Sequence, residues 1–212
     1  MMEVLIDGVK GFQFSNSPDT LQSALNEIMN FLNSQQLAMV KLRVNEQEVY
    51  PGRSLESIQE MNISNIRTLE INTYPIYQLV EEGIADLELY SPELSDLCCE
   101  IARVFQSENP DEGFDPFQKL SEIWSEIKKR EALIINILSS HVTEENPIIR
   151  KIKEHHDELN HVLEEAYKSL ENNDCIGLGD LLEYELAPLA EKEPEIVGQL
   201  KQLAIQYIIK TT

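Results

Sequence analysis

Residues 146–189 read NPIIRKIKEHHDELNHVLEEAYKSLENNDCIGLGDLLEYELAPL, and this stretch decides the architecture of most of the chain. Asn146 can cap orphan amides, and Pro147 loses nothing at a first helical position. Ile149, Ile152, Leu159, Leu163, Ala166 and Leu170 then recur at helical spacing, with His156 placed in the vacant slot. Asn172, Asn173 and Asp174 break the pattern. Leu178, Leu181, Leu182, Leu186 and Leu189 resume it. Two amphipathic helices joined by so short a polar turn are expected to pack antiparallel.

Working toward the C-terminus, Pro188 is expected to kink its helix and Pro194 to open a final one. Ile196, Val197, Leu200, Leu203, Ala204, Tyr207 and Ile208 make a wide apolar stripe. A helix so apolar must dock, either inside the bundle or on a second copy of the chain, so a homo-oligomer through this C-terminal helix is one expectation.

Upstream, Ile76, Leu79, Val80, Ile84 and Leu87 form a helical stripe after Pro75. Ser91-Pro92 restarts it, and Leu94, Leu97, Cys98, Ile101 and Phe105 continue. Ser before Pro favours two helices over one kinked helix. Ser107 to Phe114 reads as a loop, and Asp115-Pro116 as the next start. Phe117, Leu120, Ile123, Trp124, Ile127, Ile134, Ile137 and Leu138 make that helix's buried face. Between Lys128 and Glu131 the stripe lapses into charge, which reads as a solvated patch in preference to a polar seam.

The first third reads differently. Glu3 to Asp7 is a short β-prone run, Asp7-Gly8 a turn, and Phe12 with Phe14 resume alternation on a second strand. Ser17-Pro18 starts a helix carrying Leu21, Ala24, Leu25, Ile28, Met29 and Leu32, which ends near Asn33. Val40, Leu42 and Val44 alternate with Lys41 and Arg43, giving a strand with one apolar and one basic face. Asn45-Glu46 serves as a hairpin turn to a return strand at Val49 and Tyr50, ended by Pro51-Gly52. After an irregular piece from Ser54 to Ile66, Leu69 and Ile71 mark a last strand running to Tyr74. The fold class is therefore α+β, with a small sheet module over residues 1–74 and an all-α bundle over 75–212.

The order β-β-α-β-β-short helix-β in residues 1–74 resembles the ubiquitin-like β-grasp fold. That resemblance implies a docking or packing module. Ubiquitin-like modifiers act through a free C-terminal Gly-Gly, whereas here Thr73-Tyr74-Pro75 runs on into helix, so conjugation or sulfur transfer is not expected.

Charge and composition narrow the function classes. The chain has 212 residues, 42% of them hydrophobic, with 38 acids against 17 bases for a net charge of -21. Residues 1–74 carry nine acids and five bases, net -4, which leaves -17 for residues 75–212. Such a field repels nucleic acid and anionic membranes and favours a protein partner that is basic or amphipathic. Three cysteines with one odd thiol, and no leader-like segment, point to a reducing cytoplasm. No apolar run approaches the ~20 residues a membrane helix needs.

Candidate chemistry is thin. Glu154, His155, His156, Asp157, Glu158 and His161 form the one dense group of ligand-type residues. Glu158 and His161 make a Glu-x-x-His pair, the spacing used in di-iron bundles, while His161 and Glu165 share a helix face in a manner similar to hemerythrin-like bundles. A metal site on His155, His156, Glu158 and His161 is thus the alternative reading. It needs partners on other helices, and outside the group only His141 is a histidine. Imidazoles satisfied within a helical interface are the expected case, and no cofactor is expected. Cys98 and Cys99 read as core thiols. Gly177 and Gly179 follow no strand and precede no Lys, so they read as a turn or a close helix approach. No nucleophile elbow, phosphate loop or dinucleotide fingerprint is present. The leading expectation is a non-enzymatic protein-interaction module, an acidic adaptor or chaperone-like binder. Small acidic helical proteins of this kind are similar in character to bacterial export and flagellar chaperones.

Overall fold

The computed structural model describes residues 2–49, 58–139, 142–143 and 145–208. Tyr50, Pro51, Gly52, Ser54 and His141, used above, lie outside them. The chain divides into two compact units, Met1–Leu79 and Val80–Thr212. The division falls at Leu79, inside the helix Ile76–Tyr90. Strand passes to helix at Pro75/Ile76 with no linker.

The first unit is a five-stranded mixed sheet in the order β2-β1-β5-β3-β4. Its strands are β1 (Glu3–Ile6), β2 (Val9–Lys10), β3 (Leu37–Val44), β4 (Gln47–Val49) and β5 (Thr68–Pro75). β1 and β5 pair in parallel, and every other pairing is antiparallel. Helix α1 (Leu21–Ser34) covers one face and contributes Leu21, Leu25, Ile28 and Leu32 to a core shared with Val4, Leu42, Val44, Leu69 and Ile71. Thr20, not Ser17, is its N-cap, through a reciprocal capping box with Ser23 that satisfies two orphan amides.

Two strand expectations are corrected. Phe12 and Phe14 follow β2 and lie outside it; Phe12 stacks edge-on to Phe14 and Phe31, with centroids 5.0 and 5.3 Å apart. Val40 does not share the apolar face of Leu42 and Val44. An irregularity between Met39 and Lys41 shifts the register, and Val40 is left exposed. The basic face is neutralised within the sheet. Arg43 pairs with Glu70 at 2.9 Å and Lys41 with Glu48 at 2.8 Å. Asn45 (φ 49°) and Glu46 (φ 70°) both adopt the left-handed conformation that a two-residue hairpin turn requires.

The second unit is all helical. It comprises α2 (Ile76–Tyr90, shared with the first unit at its start), α3 (Leu94–Phe105), α4 (Phe114–Leu138), α5 (Pro147–Glu171), α6 (Cys175–Leu181) and α7 (Ala187–Tyr207). A 3-10 turn at Ser91–Glu93, carrying Pro92, separates α2 from α3, as the Ser-Pro start implies. Another at Pro110–Gly113 leads into α4. Asn146 caps α5 by accepting from the Ile148 amide at 2.9 Å, and Asp174 caps α6 by accepting from Gly177 at 2.9 Å.

The hairpin of residues 146–189 forms, with α5 packed on α6, but the second arm is not one plain helix. A π-turn at Leu182–Leu186 joins α6 to α7. Pro188 sits just beyond it and lacks the amide an α-helix would aim at residue 184, so a widened turn is a natural accommodation. Pro194 lies within α7 and opens nothing, because flanking packing carries the helix through it. Ile196, Val197, Leu200, Leu203, Ala204 and Ile208 are buried in this unit itself. Gly179 settles as a close helix approach. A Cβ there would stand 3.2 Å from the Ala102 carbonyl oxygen and 3.0 Å from Gln106, so α6 lies tight on α3.

Candidate functional site

Three helices of the second unit bring five ionisable side chains together. α4 supplies Lys128 and Glu131, α5 supplies His155 and His156, and α7 supplies Glu193. Lys128 and Glu131 are one turn apart on α4, and the heptad-like spacing that buries Trp124, Ile127 and Ile134 turns Glu131 inward with them. Glu131 and Glu193 are fully buried, and His155 is 4% exposed.

The Lys128 ammonium is the hub. Its Nζ donates to both Glu193 oxygens, at 2.8 and 2.9 Å, and to Glu131 Oε2 at 2.9 Å. It also lies 5.2 Å above the Trp124 ring, within cation–π range. The two imidazoles complete the set. His155 Nε2 donates to Glu193 Oε2 at 2.8 Å, and His156 Nε2 to Glu131 Oε2 at 2.6 Å.

The two carboxyls are not equivalent. Burial opposes ionisation of Glu193, but His155, Glu131 and Lys128 outweigh it and hold the carboxyl down at about 2. Burial dominates at Glu131 and raises it, against the pull of His156, with Glu193 adding to the rise. Glu131 Oε2 accepts two hydrogen bonds while Oε1 is buried without a donor. A proton on Oε1 would make Glu131 a neutral acid able to donate to Glu193. One ammonium then balances one carboxylate, and the cluster closes electrically.

The stripe's lapse into charge at Lys128–Glu131 is therefore a buried polar seam and not a solvated patch. The position on α5 that faces the core is His155; His156 is half-buried beside it. The four metal candidates part company. His155 and His156 enter the seam, whereas Glu158 and His161 are exposed, near Lys192 and Glu165 at 3.6 Å each. Among the described residues no three His, Cys, Asp or Glu side chains are arranged to hold a metal ion. The cation position between Glu131 and Glu193 is taken by Lys128. Glu131, Glu193 and Lys128 were not legible as a group in the sequence. The one available signal was charge at buried phase on two separate helices.

A trough runs beside the seam. Although consecutive in sequence, α4 and α5 make little close backbone contact, and each packs on α7. One end is walled by Ser121, Trp124, Lys129, Asn160 and Leu163, the other by Ile135, Ser139, Val142, Ile149 and Lys153, and Ala132 and His156 line both. On α4 these positions advance by three and four, so a single continuous stripe faces the opening. Elsewhere, Cys98 is buried in the core, and burial, with Cys99 beside it, pushes its thiol up to about 12, which leaves it inert at neutral pH. Cys99 and Cys175 are free and partly buried.

The sheet module matches the family described as TP0873 N-terminal domain over residues 2–75. No curated protein and no solved structure matches the chain. Residues 82–193, more than half of the chain and the part that holds α3, α4, α5 and Glu193 of the seam, match a second family. The chain thus belongs to the family described as Domain of unknown function (DUF8042).

Proposed function

We propose that the protein is a non-enzymatic protein-interaction module, an acidic adaptor or chaperone-like binder of the cytoplasm, whose partner is a protein with an amphipathic segment. The observation that supports this reading is a division of labour in the second unit. The ionisable side chains of the seam are closed upon one another, with both carboxyls out of solvent. The trough beside them is open and lined by mixed apolar and polar groups, as a binding surface is. The first unit, read as a ubiquitin-like β-grasp without a free active terminus, serves as a second docking or packing module. No helix among the described residues is long and apolar enough to cross a membrane.

Cross-linking and recovery of the native full-length protein, with mass spectrometry of bound proteins and elemental analysis of the same sample, tests the reading. A stoichiometric protein partner supports it. One or two equivalents of iron, zinc or manganese per chain, lost on replacing His155 and His156, would replace it with the metal-binding reading. With the recovered partner in hand, association should slow with added salt if the -21 exterior steers a basic surface, because the Debye length falls from ~10 Å at 0.1 M to ~3 Å at 1 M.

A further inference from the structure

We infer that the outer face of α6 and of the π-turn after it docks a basic amphipathic helix of the partner, its apolar stripe on Ile176 and Tyr184 and its cations on the carboxylates beside them. This rests on the protein-interaction reading and adds to it a surface and a sign of charge. The face contributes nothing to the trough, whose lining lies on α4, on α5 and at Val142.

Geometry makes the stripe. Leu178, Leu182 and Leu186 are buried, and Ile176, Asp180 and Tyr184, each two residues from a buried leucine, face outward. Tyr184 stands eight residues beyond Ile176, slightly more than two turns of about 3.6 residues each, and the widened turn at Leu182–Leu186 takes up the excess. Ile176 and Tyr184 are 68% and 67% exposed, the most of any large apolar side chain described in this unit. Tyr167, 62% exposed, stands on α5, the arm packed against α6. Of the six large apolar side chains exposed among this unit's described residues, half thus fall between positions 167 and 184. Single scattered ones would call for no explanation, whereas a group of them marks an interaction surface.

Charge states what covers it. Residues 164–185 hold seven acids and one base, a net -6 and more than twice the charge density of the whole chain. Asp180 and Glu183 share one neutral donor, the Gln106 amide, at 3.0 and 3.3 Å. Among the described residues no cation pairs with either of them or with the exposed Glu185. The cations of this unit are engaged elsewhere: Lys128 in the seam, Arg130 on Asp86, Lys151 on Glu195, Lys192 on Glu158 and Lys201 on Glu88. An arriving Lys or Arg would therefore be the first cation these carboxylates meet, and apolar contact on Ile176 and Tyr184 would shed water around the pair and strengthen it. The field of -21 attracts such a segment from a distance. A second copy of the chain would bring the same acidic face and be repelled.

The test uses the full chain and two labelled eighteen-residue helical peptides that share one leucine stripe, flanked by Lys in one and by Glu in the other. By fluorescence anisotropy at 0.15 M salt the Lys-flanked peptide should bind saturably, and the Glu-flanked peptide at least tenfold more weakly. Ile176→Ser with Tyr184→Ser should weaken the Lys-flanked peptide at least tenfold, and Asp180→Asn with Glu183→Gln at least threefold, far-UV circular dichroism staying unchanged in both. Leu133→Ser, and the matched pair Glu122→Gln with Glu126→Gln on the exposed side of α4, should change binding less than twofold. Absence of binding, equal binding of the Glu-flanked peptide, or indifference to both α6 variants would overturn the inference. An equal loss from the α4 pair would overturn it as well, since attraction would then belong to the whole exterior and not to this face. So would a full-chain dimer that the Ile176/Tyr184 variant converts to monomer, which would make a second copy the occupant. A cross-linked protein partner retained at wild-type yield by that variant sinks this assignment alone, whereas failure of the wild type to recover any partner sinks the protein-interaction reading itself.

Discussion

The two units solve the problem of a core in opposite ways. Among the described residues, the first buries no polar side chain at all, whereas the second buries Ser91, Glu131, His155 and Glu193. In the sheet unit the charges stay on the outer face, as Arg43–Glu70 and Lys41–Glu48 pairs that remain about 34–43% exposed. In the helical unit an ammonium and two carboxyls lie where three helices meet. Apolar burial is forgiving, since any well-filled arrangement is rewarded. A buried charge is rewarded only where each partner is in place, so the seam specifies one register of α4, α5 and α7 and penalises others.

The largest expected effect breaks the seam at its hub. Lys128→Met keeps the stem but leaves Glu193 ionised and uncompensated, and should cost about 3–5 kcal/mol in urea unfolding of the full chain. Loss of less than about 1 kcal/mol would mean that water or a counter-ion reaches the seam. In the sheet unit, Leu21→Ala at a fully buried α1 position should cost about 2–5 kcal/mol through lost transfer energy and a cavity. Its cost should not change with pH, whereas that of Lys128→Met should.

The two carboxyls sharpen the contrast. Glu193 sits at about 2 in the folded state against 4.5 ordinarily, so its contribution is full above pH 4.5 and drains away as pH falls toward 2. Glu193→Gln should therefore cost about 3 kcal/mol at pH 7 and flatten stability across that acid window. Glu131 is raised, so its linkage runs the other way, present below 4.5 and lost as pH rises. Gln offers the one donor and one acceptor of a protonated Glu131, and Glu131→Gln should stay within about 1 kcal/mol of the wild type at pH 7. Equal costs for the two substitutions would show that the proton is not localised on Glu131. The smallest effect belongs to the surface: Arg43→Ala should cost under about 1 kcal/mol, and less still at high salt.

Local rules were legible in the sequence because they depend on near neighbours. The α+β order, the Asn146 cap, the two-residue turn at Asn45-Glu46, the break at Asn172–Asp174 and most helical stripes all follow from a few consecutive side chains and their own backbone. What only the tertiary structure decided is equally specific. Val40 faces outward because β3 loses its regular register against β5, and register is a property of two strands. Pro194 sits within α7 because packing around the helix offsets a local preference to break it. His155 and not His156 faces the core because α5 is rotated to suit α6 and α7, a choice that a period of 3.6 leaves open by one residue. Glu131 and Glu193 read as ordinary surface acids among 38, and nothing within their own helices marks them. They become buried partners only when the helices meet: Glu193 finds Lys128 and His155 65 and 38 positions away, and Glu131, already one turn from Lys128, finds His156 25 positions away, since a charge enters a core only with its full set of partners and no single helix carries them all.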